Sequence, residues 1–316
     1  MYKNSVPPEF TPAEALAVIA RRIHRTPVMT SQSLNDLTGL DLVFKCEQLQ
    51  KTGSFKFRGA SFAVSQLPED CPGVATHSSG NHGAALAAAA ASAGLCADVV
   101  MPENAVPSKI EAVRAYGGTV HFCAPNQAAR EQGLQALIER GSTAIPPYDH
   151  AHIIAGQGTV ALELLAQDPH LDDIVAPIGG GGLLSGITLA AAQAAPQVRV
   201  TGAEPAGADD AARSLAEGRR VSTHDPKTMA DGLRALIGTR NFAVLAQHGI
   251  KVLTVTEDQI IEAMVLVWRH LKQVVEPSGA VPLAAILANR ERFAGRRTGV
   301  VLSGGNLEVA ALLRHL

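Results

Sequence analysis

The chain has 316 residues, enough for two domains of ordinary size, and its formal net charge is −2. Hydrophobic residues make up 47% of it and charged residues 18%, a composition typical of packed globular enzymes that excludes a disordered chain. Because there is no basic excess to attract a phosphate backbone, we expect no nucleic-acid partner.

The four cysteines are far apart. They form no CxxC pair, and none has a nearby histidine at the spacing of a zinc site. This pattern predicts reduced thiols rather than a disulfide framework or a zinc site. The N-terminal residues contain no apolar stretch of signal-peptide length, and no window of the sequence is apolar enough to cross a bilayer. We therefore expect a cytoplasmic protein with no membrane partner.

The first predicted helix starts after Thr11 and ends near Arg22, because Thr11, Pro12 and Glu14 form a capping-box pattern. A short helix over 31–37 and a strand over 42–46 lead into a turn, 51–60, that ends in a helix start. From residue 73 onward strands and helices alternate. The strands are expected at 73–76, 96–100, 119–122, 173–177, 198–203, 251–255 and 298–302, and the helices at 82–93, 108–116, 127–139, 158–166, 183–194 and 257–274. Such alternation predicts an α/β fold with a parallel sheet covered on both faces.

The turn KTGSFKFRGA, residues 51–60, presents Lys56 behind a Gly-Ser pair and an aromatic residue. A partly buried lysine loses its charge readily, and a neutral amine can form an imine with a carbonyl compound. The alternative is an ordinary solvated lysine, which the decapeptide alone does not exclude.

Two further turns lie between a strand and a helix. Residues 78–82, SSGNH, precede an Ala-rich helix, where backbone amides and the helix dipole favour a carboxylate, although the same residues are also common helix caps. Residues 179–182 are four consecutive glycines, which let several amides converge on a phosphate. They match neither the P-loop nor the dinucleotide fingerprint, so a nucleotide is not the first choice.

A third such turn is Ser303-Gly-Gly-Asn, whose hydroxyl could bond a ring nitrogen or cap the following helix. The loop GAEPAGADD offers the carboxylates of Glu204, Asp209 and Asp210, suitable ligands for a hard cation, although acidic loops are usually only solvated. His150 and His152 are two residues apart and are interpreted as structural.

Three anion-binding turns together with one lysine suited to imine chemistry fit a single ligand. That ligand is an aldehyde that carries a phosphate group and a ring nitrogen. Pyridoxal phosphate is such a molecule.

The sequence also resembles a known family, the fold-type II pyridoxal-phosphate enzymes, in particular the serine/threonine dehydratase, serine racemase and hydroxyaspartate dehydratase group. The resemblance spans nearly the whole chain. Its motifs, in the family's order, are IHRTPV, FKCEQLQKTGSFKFRGA, SSGNHG, IAGQGT, GGGG, GAEPAGADD, MADGL, EPSGA and LSGGN.

The resemblance implies that Lys56 holds pyridoxal phosphate covalently and then moves the proton at the substrate Cα. The other implied cofactor contacts are Phe55 against the ring, Asn81 at the 3′ oxygen, the amides of Gly179, Gly180, Gly181 and Gly182 with Leu183 at the phosphate, and Ser303 at the ring nitrogen. The implied substrate contacts are Ser78, Gly80, Asn81 and His82 at the carboxylate.

Ser79 stands where biosynthetic threonine dehydratases commonly carry alanine. In serine racemases a serine at this place is the acid/base on the opposite face of Cα, so Ser79 is a second catalytic candidate. Arg130 falls near the place of a racemase arginine beside the substrate side chain. The shape of the site around Tyr148 and Asp149 is expected to influence substrate selectivity. The acidic loop resembles the family's site for Mg²⁺, Mn²⁺ or Ca²⁺, with Glu204, the Ala208 carbonyl and Asp210 as ligands.

The family's architecture implies two open, twisted, mostly parallel sheets flanked by helices, as in the tryptophan synthase β subunit. Residues 1–71 and 150–316 would form a large cofactor-binding domain, and residues 72–149 a small domain that closes over the substrate. A homodimer is the expected assembly.

Three functions are compatible with these features. The first is a pyridoxal-phosphate-dependent ammonia-lyase, a dehydratase that converts serine, threonine or 3-hydroxyaspartate to a 2-keto acid and ammonia. The second is a serine or aspartate racemase with side β-elimination. The third, from another class, is a non-catalytic cofactor-binding or regulatory protein. The joint presence of Lys56, Ser79, Asn81 and Ser303 argues against the third.

Overall fold

Two open sheets organise the chain in the computed structural model, which describes residues 9–78 and 80–308. Helices cover these sheets, and all strand pairs but one are parallel. The predicted α/β class is therefore confirmed.

The larger sheet has six strands in the order β1-β2-β10-β7-β8-β9. The short β1 pairs antiparallel with β2, and the other pairs are parallel. Its strands are β1 (Val28–Met29), β2 (Asp41–Cys46), β7 (Asp173–Pro177), β8 (Arg199–Pro205), β9 (Lys251–Val255) and β10 (Arg297–Leu302). The central strands are buried on both faces, which explains their continuous apolar sequence.

The smaller sheet is built entirely within residues 73–144, which we call the small-sheet region. Its four parallel strands follow the order β5-β4-β3-β6. They are β3 (Gly73–His77), β4 (Cys96–Pro102), β5 (Thr119–Cys123) and β6 (Thr143–Ala144). Residues 9–71 and 150–308 are called the large-sheet region.

Thirteen α-helices are formed by the described residues. They are α1 (Pro12–Ile19), α2 (Gln32–Thr38), α3 (Lys56–Ser65), α4 (Asn81–Ala91), α5 (Pro107–Ala115), α6 (Gln127–Glu139), α7 (Ala151–Gln167), α8 (Gly182–Ala194), α9 (Asp210–Glu217), α10 (Thr239–Gln247), α11 (Glu257–Leu266), α12 (Pro277–Ala288) and α13 (Arg290–Phe293). Single 3₁₀ turns lie at Glu47–Leu49, Ala206–Ala208 and Asp231–Leu233, and a π turn lies at Val267–Leu271.

Most predicted elements agree with the structure to within a few residues, and the capping box of Thr11 and Glu14 is confirmed. Two predicted boundaries are wrong. Helix α7 begins at Ala151 rather than at Gly158, and α11 ends at Leu266 rather than near Val274, where the π turn and Lys272, with φ +57°, stop it. The short strands β1 and β6 and the helices α9, α10, α12 and α13 were not predicted.

Helix α7 starts before the predicted residue because its glycines make contacts with other helices and do not interrupt the helix. A Cβ atom on Gly156 would lie 2.6 Å from Cα of Gly59 on α3, and one on Gly158 would lie 2.6 Å from the carbonyl oxygen of Gly186 on α8. The backbones of α3, α7 and α8 therefore touch directly. In this way α7 connects the helix that begins at Lys56 with the helix that follows the four glycines.

The remaining helices bury apolar stripes against the sheets, and α12 runs through the core of the large-sheet region. The four cysteines are free thiols. Among the helices of the described part of the chain, none is both long and apolar enough to cross a bilayer.

Candidate active site

A cavity of about 740 Å³ opens at the carboxyl ends of the strands, between the two sheet regions. Ligands commonly bind at this edge of an open parallel sheet. The predicted cofactor and substrate residues that the structure describes all line it: Phe55, Lys56, Ser78, Gly80, Asn81, His82, Arg130, Gly179, Gly180, Gly181, Gly182, Leu183 and Ser303. Ser79 lies outside the described residues. These residues are thus brought together from five separate parts of the sequence.

Lys56 is the first residue of α3. Its Nζ donates a hydrogen bond to the Pro147 carbonyl oxygen at 2.8 Å and lies 5.2 Å from the centre of the Phe55 ring. Burial of the ammonium lowers the pKa of Lys56 to about 8, although Glu276 acts in the opposite direction. A substantial fraction of this amine is consequently neutral at mildly alkaline pH, as imine formation requires.

The turn that carries Lys56 is paired with the turn after β10. The Phe55 amide donates to the Ser303 carbonyl oxygen at 3.0 Å, and the Gly305 amide donates to the Gly53 carbonyl oxygen at 2.9 Å. Ser303 is only 2% exposed. These backbone bonds fix the position of Ser303 relative to the lysine.

The four glycines form a cradle at the start of α8. Gly181 has φ +93°, which favours glycine, and a Cβ on Gly180 would lie 2.2 Å from the Tyr148 ring. Asn241 holds the cradle in place, because its Nδ2 donates to the Gly180 carbonyl oxygen at 2.7 Å. Backbone amides at a helix N-terminus, with no side chain in the way, fit a phosphate group.

The start of α4 is the predicted carboxylate site. The Ser78 hydroxyl oxygen accepts bonds from the amides of Gly80 and Gly83 at 3.2 and 3.1 Å, so this side chain caps the helix. The His82 ring is 2% exposed and donates from Nε2 to the Ile145 carbonyl oxygen at 3.0 Å. Burial, helped by nearby Lys56, lowers the pKa of His82 to about 3. The ring is therefore neutral and supplies no positive charge to a carboxylate.

Asn81 belongs to a set of polar side chains that joins the two sheet regions. Its Nδ2 donates to Glu276 Oε1 at 2.8 Å, and its Oδ1 accepts from Asn306 Nδ2 at 2.9 Å. Lys109 of the small-sheet region forms an ion pair with Asp231 of the large-sheet region. We call Asn81, Lys109, Asp231, Glu276 and Asn306 the interface cluster.

Glu276 is 3% exposed and precedes α12. Burial, reinforced by the negative charge of Asp231, raises its pKa to about 7. Sequence reasoning did not assign this residue a role, because an acidic residue before a Pro-Ser pair is an ordinary helix start. The feature of the sequence that could have indicated a role for Glu276 is its position in the EPSGA motif.

Arg130 lines the cavity from α6. It is half-buried, makes no ion pair with any residue of the described ranges, and its Nε is buried without a hydrogen-bond partner there. By contrast, Asp149 does not face a substrate group, because its carboxylate accepts from the amides of Thr239 and Arg240, both at 3.0 Å, and caps α10. Of the two residues predicted to influence substrate selectivity, Tyr148 lines the cavity and Asp149 does not.

The acidic loop lies at the end of β8. Glu204 Oε1 accepts from the Ala212 amide at 2.7 Å, and Asp210 Oδ2 accepts from the Ile237 amide at 2.8 Å. The second oxygen of each carboxyl group is buried with no hydrogen-bond partner among the described residues. Burial raises the pKa of Glu204 to about 9, with a contribution from Asp210, and burial also raises the pKa of Asp210.

Two unsatisfied buried carboxyl oxygens fit a divalent cation, which would neutralise both. Ala208, whose carbonyl was the third predicted ligand, ends the 3₁₀ turn in the same loop. Within residues 9–78 and 80–308, however, no three His, Cys, Asp or Glu side chains are gathered closely enough to hold an ion by themselves. Backbone carbonyl groups and water would have to complete the coordination.

A second group of charged residues includes Arg58, which lies two positions after Lys56 on α3. Arg58 is fully buried and donates to Glu47 Oε2 at 2.7 Å and to both oxygens of Glu163 at 2.8 Å. Lys45 Nζ also donates to Glu163, at 2.8 Å. Burial acts to raise the pKa of Glu163, but Arg58 and Lys45 lower it overall. We call Lys45, Glu47, Arg58 and Glu163 the buried ionic cluster.

Comparisons with known proteins agree with this geometry. Residues 19–304 match the family described as pyridoxal-phosphate dependent enzyme. The chain is 46% identical to the β-hydroxyaspartate dehydratase of Paracoccus denitrificans, with 93% of this chain and 94% of that protein covered. It is 48% identical to the serine racemase of Arabidopsis thaliana, with 92% and 90% covered.

Among solved structures, the serine racemase of maize superposes with a TM-score of 0.93 at 42% identity, with 96% of this chain and 94% of that chain covered. A threonine deaminase superposes with a TM-score of 0.91 at 43% identity, with 96% and 99% covered. These matches confirm the resemblance on which the fold and cofactor were predicted. The chain belongs to the pyridoxal-phosphate-dependent enzymes of fold type II.

Proposed function

We propose that this enzyme is a dehydratase that converts a β-hydroxy amino acid to a 2-keto acid and ammonia. The observation that carries the proposal is the position of Lys56 in one cavity with the glycine cradle, Ser303 and the start of α4. The likeness to a β-hydroxyaspartate dehydratase and to a threonine deaminase supports it.

Pyridoxal phosphate would be held by Lys56, by the amides of the glycine cradle with Leu183, by Phe55 against the ring, and by Asn81 and Ser303 at the ring's polar atoms. When bound, this cofactor withdraws electrons from the substrate Cα and weakens the bond to its proton. The chain's own contribution begins with substrate binding. The first-turn amides of α4, rather than the neutral His82 ring, would hold the α-carboxylate.

Lys56 would then take the Cα proton, because its low pKa leaves the free amine available as a base. Loss of the Cα proton and of the β-hydroxyl group removes one water molecule. Hydrolysis of the product of this elimination gives the 2-keto acid and ammonia. The interface cluster would hold residues 72–149, the proposed small mobile domain, against the large domain and so keep water from the reacting centre.

We propose 3-hydroxyaspartate as the first substrate to examine. Its second carboxylate needs a cation in the cavity, and Arg130 presents a guanidinium group with no carboxylate partner among the described residues. Serine and threonine carry no such group, so they would leave Arg130 unpaired.

The acidic loop would bind a divalent cation, Mg²⁺, Mn²⁺ or Ca²⁺, through Glu204, Asp210 and the Ala208 carbonyl. A homodimer in the cytoplasm is the proposed state of the enzyme. Leu49, Trp268 and Val274 are each more than two-fifths exposed, which provides apolar surface for a second copy.

A racemase remains the second candidate, because the Arabidopsis relative is a serine racemase and Ser79 carries the hydroxyl that this reaction would need. In that case Ser79 and Lys56 would exchange protons with opposite faces of Cα.

One assay separates the candidates. Purified holoenzyme is given L-serine, D-serine, L-threonine and the 3-hydroxyaspartate isomers, with EDTA or with added Mg²⁺, and both keto acid and the chirality of the remaining amino acid are followed. We expect rapid keto-acid release from a 3-hydroxyaspartate isomer, no change of configuration in the remainder, and loss of activity in EDTA. The Lys56→Ala variant is the control and should release none.

Inversion of the remaining substrate faster than keto-acid release would establish a racemase instead. Release from serine or threonine alone would overturn the role given to Arg130. If no amino acid reacted, the chain would be a binding or regulatory protein.

A further inference from the structure

His224 connects the acidic loop with the catalytic cavity. It lies in residues 219–230, a segment without helix or strand, and it lines the cavity. Its side chain is only 9% exposed, and its Nδ1 lies 3.2 Å from Asp210 Oδ1. Neither of these two atoms has a hydrogen-bond partner in the described part of the chain. Sequence reasoning assigned His224 no role.

The other contacts of the two side chains determine what each atom presents to the other. His224 Nε2 lies 2.9 Å from the Arg234 carbonyl oxygen, which can only accept, so Nε2 carries the ring proton. In the neutral ring, Nδ1 then carries a lone pair and no proton. Asp210 Oδ2 is already used by the Ile237 amide, and Oδ1 is the oxygen that faces His224.

Two lone pairs that face each other in a buried place repel unless a proton or a metal ion lies between them. The separation fits a shared metal ion. Two donor atoms bound to one ion at about 2.2 Å and at right angles lie about 3.1 Å apart. Asp210 Oδ1 and His224 Nδ1 already have that spacing.

We propose that His224 is a nitrogen ligand of the divalent cation, bound next to Asp210. The inference rests on the cation site of the proposed function, but not on the identity of the amino acid substrate. Asp210 Oδ1 and His224 Nδ1 lie 3.2 Å apart and form the pair that would bind the ion. No three acidic, histidine or cysteine side chains of the described ranges are gathered closely enough to hold an ion, so backbone carbonyl groups such as that of Ala208, together with water, would supply the remaining positions.

A nitrogen ligand changes which ion the site prefers. Mg²⁺ and Ca²⁺ favour oxygen donors, whereas imidazole favours first-row transition ions. This site therefore selects Mn²⁺ or a later transition ion over Mg²⁺. Binding of the ion by His224 would also fix the position of residues 219–230, which contribute His224 and Pro226 to the wall of the cavity.

The test uses Mn²⁺ as the probe and the holoenzyme without amino acid. Binding is followed by electron paramagnetic resonance, and pulsed measurements on protein with ¹⁵N-labelled histidine detect a nitrogen bound to Mn²⁺. We expect one histidine nitrogen coupled to the ion. In His224→Asn, which places an oxygen near the position of Nδ1, that coupling disappears and Mn²⁺ affinity falls at least about tenfold. Mg²⁺ affinity, from competition, changes by less than about threefold.

The matched control is His248→Asn, an exposed histidine at the end of α10, which should keep both the coupling and the affinity. Bound Mn²⁺ without nitrogen coupling in the unmodified protein would overturn the proposal, whether or not the variant folds, and would leave a shared proton as the link between His224 and Asp210. Equal Mn²⁺ affinity of His224→Asn and the parent protein, or no bound Mn²⁺, would also overturn it. None of these readouts needs turnover, so failure here is distinct from failure of the dehydratase assay.

Discussion

The buried ionic cluster lies within the large-sheet region, whereas the interface cluster joins the two regions, and the two clusters differ in how their charges are satisfied. In the buried ionic cluster two cations and two carboxylates exchange many hydrogen bonds within one region of the fold. The interface cluster connects two regions, and it contains a carboxyl group whose pKa is raised to about 7. The first arrangement suits a fixed support, and the second suits a contact that forms and breaks.

The largest effect is expected from Arg58→Met. This change leaves Glu47 and Glu163 buried with too few cationic partners, which costs about 3–5 kcal/mol in the free energy of unfolding. Urea unfolding of the purified proteins measures it. The control is Arg219→Met, whose exposed pair with Glu217 should contribute less than about 1 kcal/mol. Similar losses in the two variants would show that the buried ionic cluster is not a special support.

A smaller effect is expected from Glu276→Gln, and it depends on pH. The pKa of Glu276 is about 7 in the folded protein and 4.5 as its ordinary value, so the folded protein binds this proton more tightly than the unfolded chain. The resulting stability is complete below pH 4.5 and is lost as the pH rises to 7 and beyond. Relative to Glu276→Gln, the parent protein should therefore lose on the order of 2–3 kcal/mol between pH 4.5 and 7. Parallel curves for the two proteins would contradict the raised pKa.

The smallest effect on stability is expected from Lys109→Met. The Lys109–Asp231 pair is partly exposed, so its loss should change the free energy of unfolding by less than about 1 kcal/mol. Because the pair joins the two regions, we expect a severalfold higher KM in the keto-acid assay, with the visible spectrum of the bound cofactor unchanged. An unchanged KM would mean that this contact plays no part in closure.

The parts of the site that sequence reasoning found are those whose chemistry is local. The Lys56 turn, the glycine cradle and the Ser303 turn each contain their own signal within a few residues, and the single ligand that fits all of them predicted that they share one site. Arg58 and Glu276 could not be assigned in this way. Their partners lie far away in the sequence, as with Glu163 for Arg58 and Asn81 for Glu276, and only the fold brings them together.

The incorrect start of α7 has the same origin. Gly156 and Gly158 weaken an isolated helix, so the sequence favoured a later start. Their value comes from contacts with α3 and α8, which the local sequence does not contain. His224 was missed for the opposite reason: a single histidine in an irregular loop carries no pattern at all.

The glycine contacts of α7 also determine how far apart α3 and α8 lie, a distance that matters for holding the cofactor. Pyridoxal phosphate would be attached at two ends, to Lys56 at the start of α3 and to the glycine cradle at the start of α8, and α7 is the spacer between these helices. A methyl group at Gly156 or Gly158 would push one helix outward and lengthen the gap that a cofactor of fixed size has to bridge. The two glycines therefore set the distance between the two attachment points of the cofactor, although neither glycine lines the cavity.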